Sequence, residues 1–402
     1  MSIVGLNSIR ASALVTAMVA GGSLLPLPAL AQQPAGQSSG PASSPQTAAA
    51  PEALGIDAYW TAERLRDARP PSLPTPAVVG RSGLPRAAQL EALTLEKPPK
   101  SLGKPGGRPQ VTDQGAPTQL LPPVVDPAAI GAEPSSGGAA PEASSSFGAY
   151  FTTARVSPDA ALTTYPYSVA GKLFFTDPSN NGNFVCSASV LRPRIVVTAG
   201  HCVSNPSTDP TKRFFFTNFL FVPAFNNGAA PFGSWTSGQQ WVLNAWHNSN
   251  GSVPNKGDVA FLIIRDRVVS GAPRKIGDLT GWLGYATNSL VKNHVTMLGY
   301  PCNLDACQRM QSTNAGSFAS GGNNTQIYGS AARGGASGGP WIQDFGINPV
   351  SNPPVALGLN RLVGITSYGP VQTEPKYLGS SILDANFVSV LMSACNSNPG
   401  NC

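Results

Sequence analysis

An all-β fold, barrel or sandwich, is predicted for the part of this chain that follows about Phe147. Short alternating or β-branched runs recur there, at 168–175, 184–191, 195–199, 214–222, 241–246, 259–264, 295–299, 325–329 and 362–368. Clusters of Asn, Gly, Pro and Ser bound them, and those residues favour turns. Helical spacing is almost absent, and residues 156–402 suffice for two small barrels in one unit. No internal sequence repeat is visible. The one helix expected in this part is 385–394, where Phe387, Val388, Val390 and Leu391 share a face and Asp384 can cap.

The first 147 residues have a different character. Residues 1–31 read as an export signal: Arg10 is a weak basic start, 11–27 is apolar and small, and Ala29-Leu30-Ala31 is a cleavage pattern before Gln32. Gly21-Gly22, Pro26 and Pro28 break the run and leave it too short to span a bilayer. Cleavage after Ala31 and secretion, extracellular or periplasmic, are expected, with no membrane anchor left behind. Residues 32–147 are rich in Pro, Ala, Ser, Gly and Gln, and most of them cannot bury enough apolar surface to offset the entropy of ordering. This stretch is expected to be a largely disordered pro-region or linker. One island, 53–68, holds Ile56, Tyr59, Trp60 and Leu65 on one face of a short helix that Pro70-Pro71 stops. An isolated helix of that length is marginal in water, so it is expected to dock on the domain at 148–402.

All six cysteines, at 186, 202, 302, 307, 395 and 402, fall in the second part. An even number in an exported chain points to disulfides. Six allow 15 pairings, of which the local set Cys186–Cys202, Cys302–Cys307 and Cys395–Cys402 is expected. With no C-x-x-C spacing and three histidines in the whole chain, no metal site is expected.

Three blocks carry chemistry. Thr198-Ala199-Gly200-His201-Cys202 places an imidazole just after a strand run. A neutral imidazole titrates near ~6.5 and suits taking a hydroxyl proton. Gly257-Asp258 opens the apolar run 259–264, where a shielded carboxylate can receive the ring N–H and stabilise the imidazolium. Asp209, Asp266 and Asp278 compete for that role but lie in polar loops. Arg333-Gly334-Gly335-Ala336-Ser337-Gly338-Gly339-Pro340 places a serine among glycines that let the backbone turn its N–H groups toward a substrate carbonyl. Alone, each block also reads blandly, as a structural histidine, a turn aspartate and a flexible turn. Together they run His, Asp, Ser, one of the known orders of a catalytic triad. His201 is then base and acid, Asp258 its orienter and Ser337 the nucleophile, with the N–H groups of Gly335 and Ser337 as oxyanion donors. His247 and His294 pair with no nucleophile and read as structural or surface residues.

These blocks resemble the signatures of trypsin/chymotrypsin-fold serine proteases. Within them the chain is similar to the secreted bacterial glutamyl endopeptidase (V8-like) branch, through Thr163-Thr164-Tyr165-Pro166-Tyr167, Leu298-Gly299-Tyr300-Pro301-Cys302 and Gly379-Ser380-Ser381-Ile382. The stretch from Tyr59-Trp60-Thr61 to Arg66 resembles a pro-segment motif among such enzymes. The resemblance covers about 147–394 and implies two perpendicular six-stranded β-barrels with the site in the cleft between them. It also implies that the run 362–369 lines the primary pocket, with Thr366 inside it and Ser367, Tyr368 and Gly369 pairing substrate backbone.

The chain departs from the pattern in two places. Ala336 stands where trypsin-like enzymes carry the aspartate that pairs with a new N-terminus, so that activation switch is unavailable. Val156, after Arg155, is a candidate mature start. Thr366 stands where glutamyl enzymes usually carry a histidine, and Ala331 falls near the position of the trypsin-like pocket aspartate. Neither an acidic nor a basic preference follows. Arg333 is the cation near the loop, either a recognition group for an acidic side chain or a solvated surface residue.

Lys and Arg number 26 against 20 Asp and Glu, but the charges are scattered rather than clustered, so nucleic-acid binding is not expected. No phosphate-binding or dinucleotide fingerprint occurs, and no cofactor is expected. The expectation is a monomeric, exported serine endopeptidase acting on proteins or peptides, with its own pro-region as a candidate intramolecular inhibitor. The alternative is a catalytically silent binding or adhesion protein on the same fold.

Overall fold

The structure, a computed structural model, describes residues 43–47, 52–71, 102–106, 118–121, 148–346, 359–372 and 374–402. All of them belong to one compact unit, Pro41–Cys402. The expected export signal at 1–31 lies outside the described residues.

Six strands form the first barrel: β1 (Ala170–Asp177), β2 (Gly182–Arg192), β3 (Ile195–Thr198), β4 (Thr217–Pro223), β5 (Trp235–Leu243) and β6 (Ala260–Ile264). Antiparallel pairing runs β1-β2-β3-β6-β5-β4 and returns to β1, which closes the sheet and removes its edges. The second barrel has β7 (His294–Gly299), β8 (Gln311–Gly322), β9 (Thr325–Gly329), β10 (Pro340–Gln343), β11 (Arg361–Tyr368) and β12 (Tyr377–Ser381). It closes as β7-β8-β9-β12-β11-β10, the same permutation. The architecture therefore repeats although the sequence shows no repeat, because strand order needs only alternating apolar residues and turns in the right places.

The expected strands are present with small shifts in their ends, save two: run 214–222 divides into Phe214–Phe215, paired with Ser204–Asn205, and β4. Run 241–246 is split: β5 ends at Leu243 and Asn244–His247 is a helical turn that buries Trp246. Strands β8, β10 and β12 lie outside the expected runs, β8 and β12 because they are rich in Gly, Ser or Asn and β10 because it is only four residues long and opens on Pro340. The C-terminal helix Ala385–Asn396 buries Phe387, Val390, Leu391 and Ala394, and Asp384 caps it by accepting from the N–H groups of Asn386 and Phe387. All three local disulfides are formed, Cys186–Cys202, Cys302–Cys307 and Cys395–Cys402.

A further strand, Phe151–Arg155, pairs antiparallel with β8, and Val156 N–H donates to Met310 O at 3.0 Å. Phe151 is buried in the core of the second barrel. In the full chain the candidate start at Val156 follows directly on this strand, so cutting the bond before it would strip a paired strand and unseat Phe151.

The upstream region contributes more than one helix. The expected single helix at 53–68 is two, α1 (Glu52–Tyr59) and α2 (Ala62–Asp67), because Thr61 breaks the run and caps the second by accepting from Arg64 N–H. Ile56, Trp60 and Leu65 are buried in the core of the first barrel. Trp60 Nε1–H donates to Asn218 O at 2.6 Å, and its ring meets Phe174 at 5.5 Å. Three short strands also dock: Ser43–Thr47 on β5, Leu102–Gly103 beside Tyr285 and Ala286, and Thr118–Gln119 beside Ala229 and Ala230. Composition hides these, since two- to five-residue strands carry almost no periodicity. Among the described residues no helix is long and apolar enough to cross a membrane.

Candidate active site

The register of β3 against β6, Thr198 opposite Ala260, places the residues after β3 and those before β6 at one end of the first barrel. His201 lies on the turn Gly200–Cys202, and the disulfide from Cys202 ties that turn to Cys186 on β2. Asp258, two residues before β6, is wholly buried. Burying a carboxylate demands partners, and three donors meet it. His201 N–H gives to Oδ1 at 2.8 Å, His201 Nδ1 lies 2.8 Å from Oδ2, and Ser367 Oγ–H gives to Oδ2 at 2.6 Å. A proton on Nδ1 leaves Nε2 of the neutral ring as the acceptor.

Ser337 sits on the loop before β10, between strands of the two barrels. On one flank Ser337 O accepts from Ser187 N–H of β2 at 2.7 Å; on the other Gly338 N–H donates to Thr366 O of β11 at 2.8 Å. Gly338 has φ +79°, and a Cβ there would strike Thr198 Oγ1, three residues before His201. The loop is thus pressed against the turn that carries the imidazole. Ser337 Oγ and His201 Nε2 are both buried, and neither has a hydrogen-bond partner among the described residues, including each other. Buried polar atoms are rarely left so, and these are the two atoms between which a hydroxyl proton would pass.

The backbone N–H groups of Gly335 and Ser337 take no part in the loop's own bonds, which use Ala336 N, Gly338 N and Gly339 N. The Gly334 carbonyl accepts from Cys302 N–H at 2.7 Å and the Ala336 carbonyl from Gly339 N–H at 2.9 Å. In a trans peptide the N–H points opposite its carbonyl, so both free donors face away from those partners. Gly335 has φ +95°, and a Cβ there would stand 2.8 Å from Cys302 Sγ.

Sequence reading missed Ser187. Its Oγ–H donates to Gly335 O at 2.8 Å, and its Oγ accepts from Tyr300 N–H at 2.9 Å. No motif marks it; its place beside Cys186 on β2 was the available signal. Ser367, whose backbone is expected to pair with substrate, turns its side chain onto Asp258. Thr366 Oγ1 accepts from Trp341 Nε1–H at 2.9 Å, which fixes it within the core. The Tyr368 ring is buried, with its hydroxyl 2.9 Å from Thr325 Oγ1, and Gly369 follows at the end of β11. Arg333 is not a solvated cation: its guanidinium donates to the carbonyls of Ala332 and Gln372 at 2.9 and 3.0 Å. Burial lowers its pKa, while Glu374 opposes that shift. His247 is buried and stacked on Phe215 at 4.8 Å, and burial, then Arg213, pushes its pKa down.

Two closed six-stranded barrels of one strand order, with these groups at their junction, define the trypsin-like fold. The chain belongs to the trypsin family, whose model, described as Trypsin, matches residues 162–391, more than half of the chain. It is 26% identical over 210 residues to the Glutamyl endopeptidase of Bacillus licheniformis, covering 51% of this chain and 59% of that one. It is 24% identical over 145 residues to the Extracellular metalloprotease of Bacillus subtilis, covering 35% and 41%. The matches thus span roughly half the length of these curated relatives. Protease Anisep from Arthrobacter nicotinovorans superposes with a TM-score of 0.48 at 26% identity, over 61% of this chain and all of that one. The name of the B. subtilis relative raises the question of a metal. Among the described residues one group has the spacing to hold an ion, Cys186, His201 and Cys202, but its two sulfurs are joined in a disulfide and do not fit that role.

Proposed function

We propose that this protein is an exported serine endopeptidase that hydrolyses peptide bonds through an acyl-enzyme on Ser337. The observation that carries the reading is the buried Asp258–His201 pair together with the buried Ser337 hydroxyl and His201 Nε2, neither of which has a hydrogen-bond partner among the described residues. His201 Nε2 takes the proton of Ser337 Oγ as Oγ attacks the scissile carbonyl, and the N–H groups of Gly335 and Ser337 hold the resulting oxyanion. Asp258 keeps the ring in the required tautomer and stabilises the imidazolium. The imidazolium then protonates the leaving amine, and water, deprotonated by the same nitrogen, releases the acid. Disulfides support an extracellular or periplasmic location.

For specificity, the end of β11 is the substrate-facing strand, with Thr366, Tyr368 and Gly369 beside the primary pocket. Thr366 offers no charge there and Arg333 is engaged with carbonyls, so a strict glutamyl preference is not part of the proposal. The test is digestion of a protein substrate by the active enzyme and its Ser337→Ala variant. Turnover should fall by about 10⁶ while folding is unchanged. Digestion that does not depend on Ser337 would remove the reading, and no digestion by either chain would leave the silent binding protein as the alternative.

A further inference from the structure

The edge of β2 nearest Ser337 is shared by two chain segments. β3 pairs with β2 only from Ser189 onward, so residues 183–188 of β2 have no strand neighbour from the barrel on that side. Ser187 N–H on this edge binds Ser337 O. The next outward-facing groups, Val185 N–H and Asn183 C=O, bind residue 69 of the upstream region. Val185 N–H donates to Arg69 O at 2.8 Å and Arg69 N–H donates to Asn183 O at 3.0 Å, in parallel pairing. Two residues along a strand is about 7 Å, so Arg69 occupies the edge position adjoining the nucleophile's own.

Parallel pairing also means that the segment runs toward Ser337. Pro70 arrives against the loop: a Cβ at Gly334 would stand 3.0 Å from Pro70 Cβ. Gly334 directly precedes Gly335, whose N–H is one of the two oxyanion donors. Continued pairing would need an N–H from residue 71 to Val185 O, but Pro71 has none. Strand addition therefore stops at the nucleophile loop. The segment is fastened upstream by Tyr59 Oη–H, which donates to Asn183 Oδ1 at 2.9 Å, and by buried Trp60.

We propose that residues 68–71 are an inhibitory strand that, while seated on this edge of β2, fills the leaving-group flank of the cleft. β11 flanks the loop on the opposite side, through Gly338 N–H and Thr366 O, and takes the residues that precede the bond. This rests on Ser337 being the nucleophile. Main-chain hydrogen bonds carry recognition at such an edge, which makes it tolerant of side-chain sequence.

The test uses the intact full chain, its integrity checked by mass, with two probes read as initial rates. A fluorophosphonate carries no residues on the leaving side and reports Ser337 reactivity; fluorescein-casein supplies extended substrates of every side-chain type. Arg69→Pro deletes the N–H given to Asn183, and Trp60→Ala loosens the anchor. Casein digestion should rise by about tenfold in both, as expected for losing one or two hydrogen bonds, while fluorophosphonate labelling stays within about threefold of the unsubstituted chain. Tyr59→Phe removes only a part-buried contact and should give a smaller rise in the same direction, even if the other two fail to fold. Unchanged casein digestion with normal labelling overturns the inhibitory strand and leaves the protease reading intact. A matching rise in both probes overturns the leaving-side assignment. No labelling in any chain removes the Ser337 reading and this proposal with it.

Discussion

The two barrels share a strand order but divide the chemistry unequally. The first holds a charge pair: Asp258 is wholly buried, His201 nearly so, and both stand on short turns at the end of paired strands pinned by the Cys186–Cys202 disulfide. The second holds a loop in which glycines with positive φ free two N–H groups and present a hydroxyl. Each half is braced by a serine of the other. Ser367 of β11 donates to Asp258, and Ser187 of β2 holds the Gly335 carbonyl. Neither barrel completes its part of the site alone, so the site reports on the seam between the barrels as much as on either core.

The sharpest way to break the comparison is Asp258→Asn. It preserves shape but disfavours the required tautomer, and kcat should fall by about 10⁴ with little change in KM. The disulfides separate the barrels next. Replacing Cys186 and Cys202 with serine opens a loop of sequence separation 16 and should cost about 3 kcal/mol by chemical denaturation. The same change at Cys302 and Cys307, separation 5, should cost about 2 kcal/mol on the same scale. Equal losses would mean that native-state effects, not loop closure, dominate.

The bracing serines give smaller effects on activity. Ser367→Ala and Ser187→Ala should each lower kcat by about tenfold, the worth of one good hydrogen bond to a charged or oriented group. Both should also destabilise the chain, since Ser367→Ala takes a donor from the buried Asp258 carboxylate and Ser187→Ala leaves Tyr300 N–H and Gly335 C=O without that partner in the interior. The smallest effect concerns Lys172 on β1, buried between Phe174 and Phe225 with Nζ 4.9 and 4.7 Å from their ring centres. Burial lowers its pKa to about 7. Below about 7 it is charged in both states; between there and its unfolded value of ~10.4 the unfolded chain binds the extra proton, so stability rises with pH. Lys172→Met should flatten that rise in thermal melts run across the window.

What was legible in the sequence divides along similar lines. His201, Asp258 and Ser337 stood out because each follows or precedes a distinctive run, and the strands of the first barrel did because they are Val-, Ile- and Phe-rich. Strand β8, with its Gly, Ser and Asn residues, and the short docked strands near 43, 102 and 118 carry no period for a window to detect. Ser187 and the side-chain role of Ser367 were hidden for another reason. Their partners lie 148 and 109 residues away, and only the closed barrels bring them together.

The most direct test of the account is the site and stoichiometry of fluorophosphonate modification, mapped by peptide mass spectrometry. One phosphonyl group per active chain on Ser337, lost in His201→Ala, is the expected result. Labelling dispersed over other hydroxyls, or labelling of Ser337 that persists at full rate without the imidazole, would contradict it.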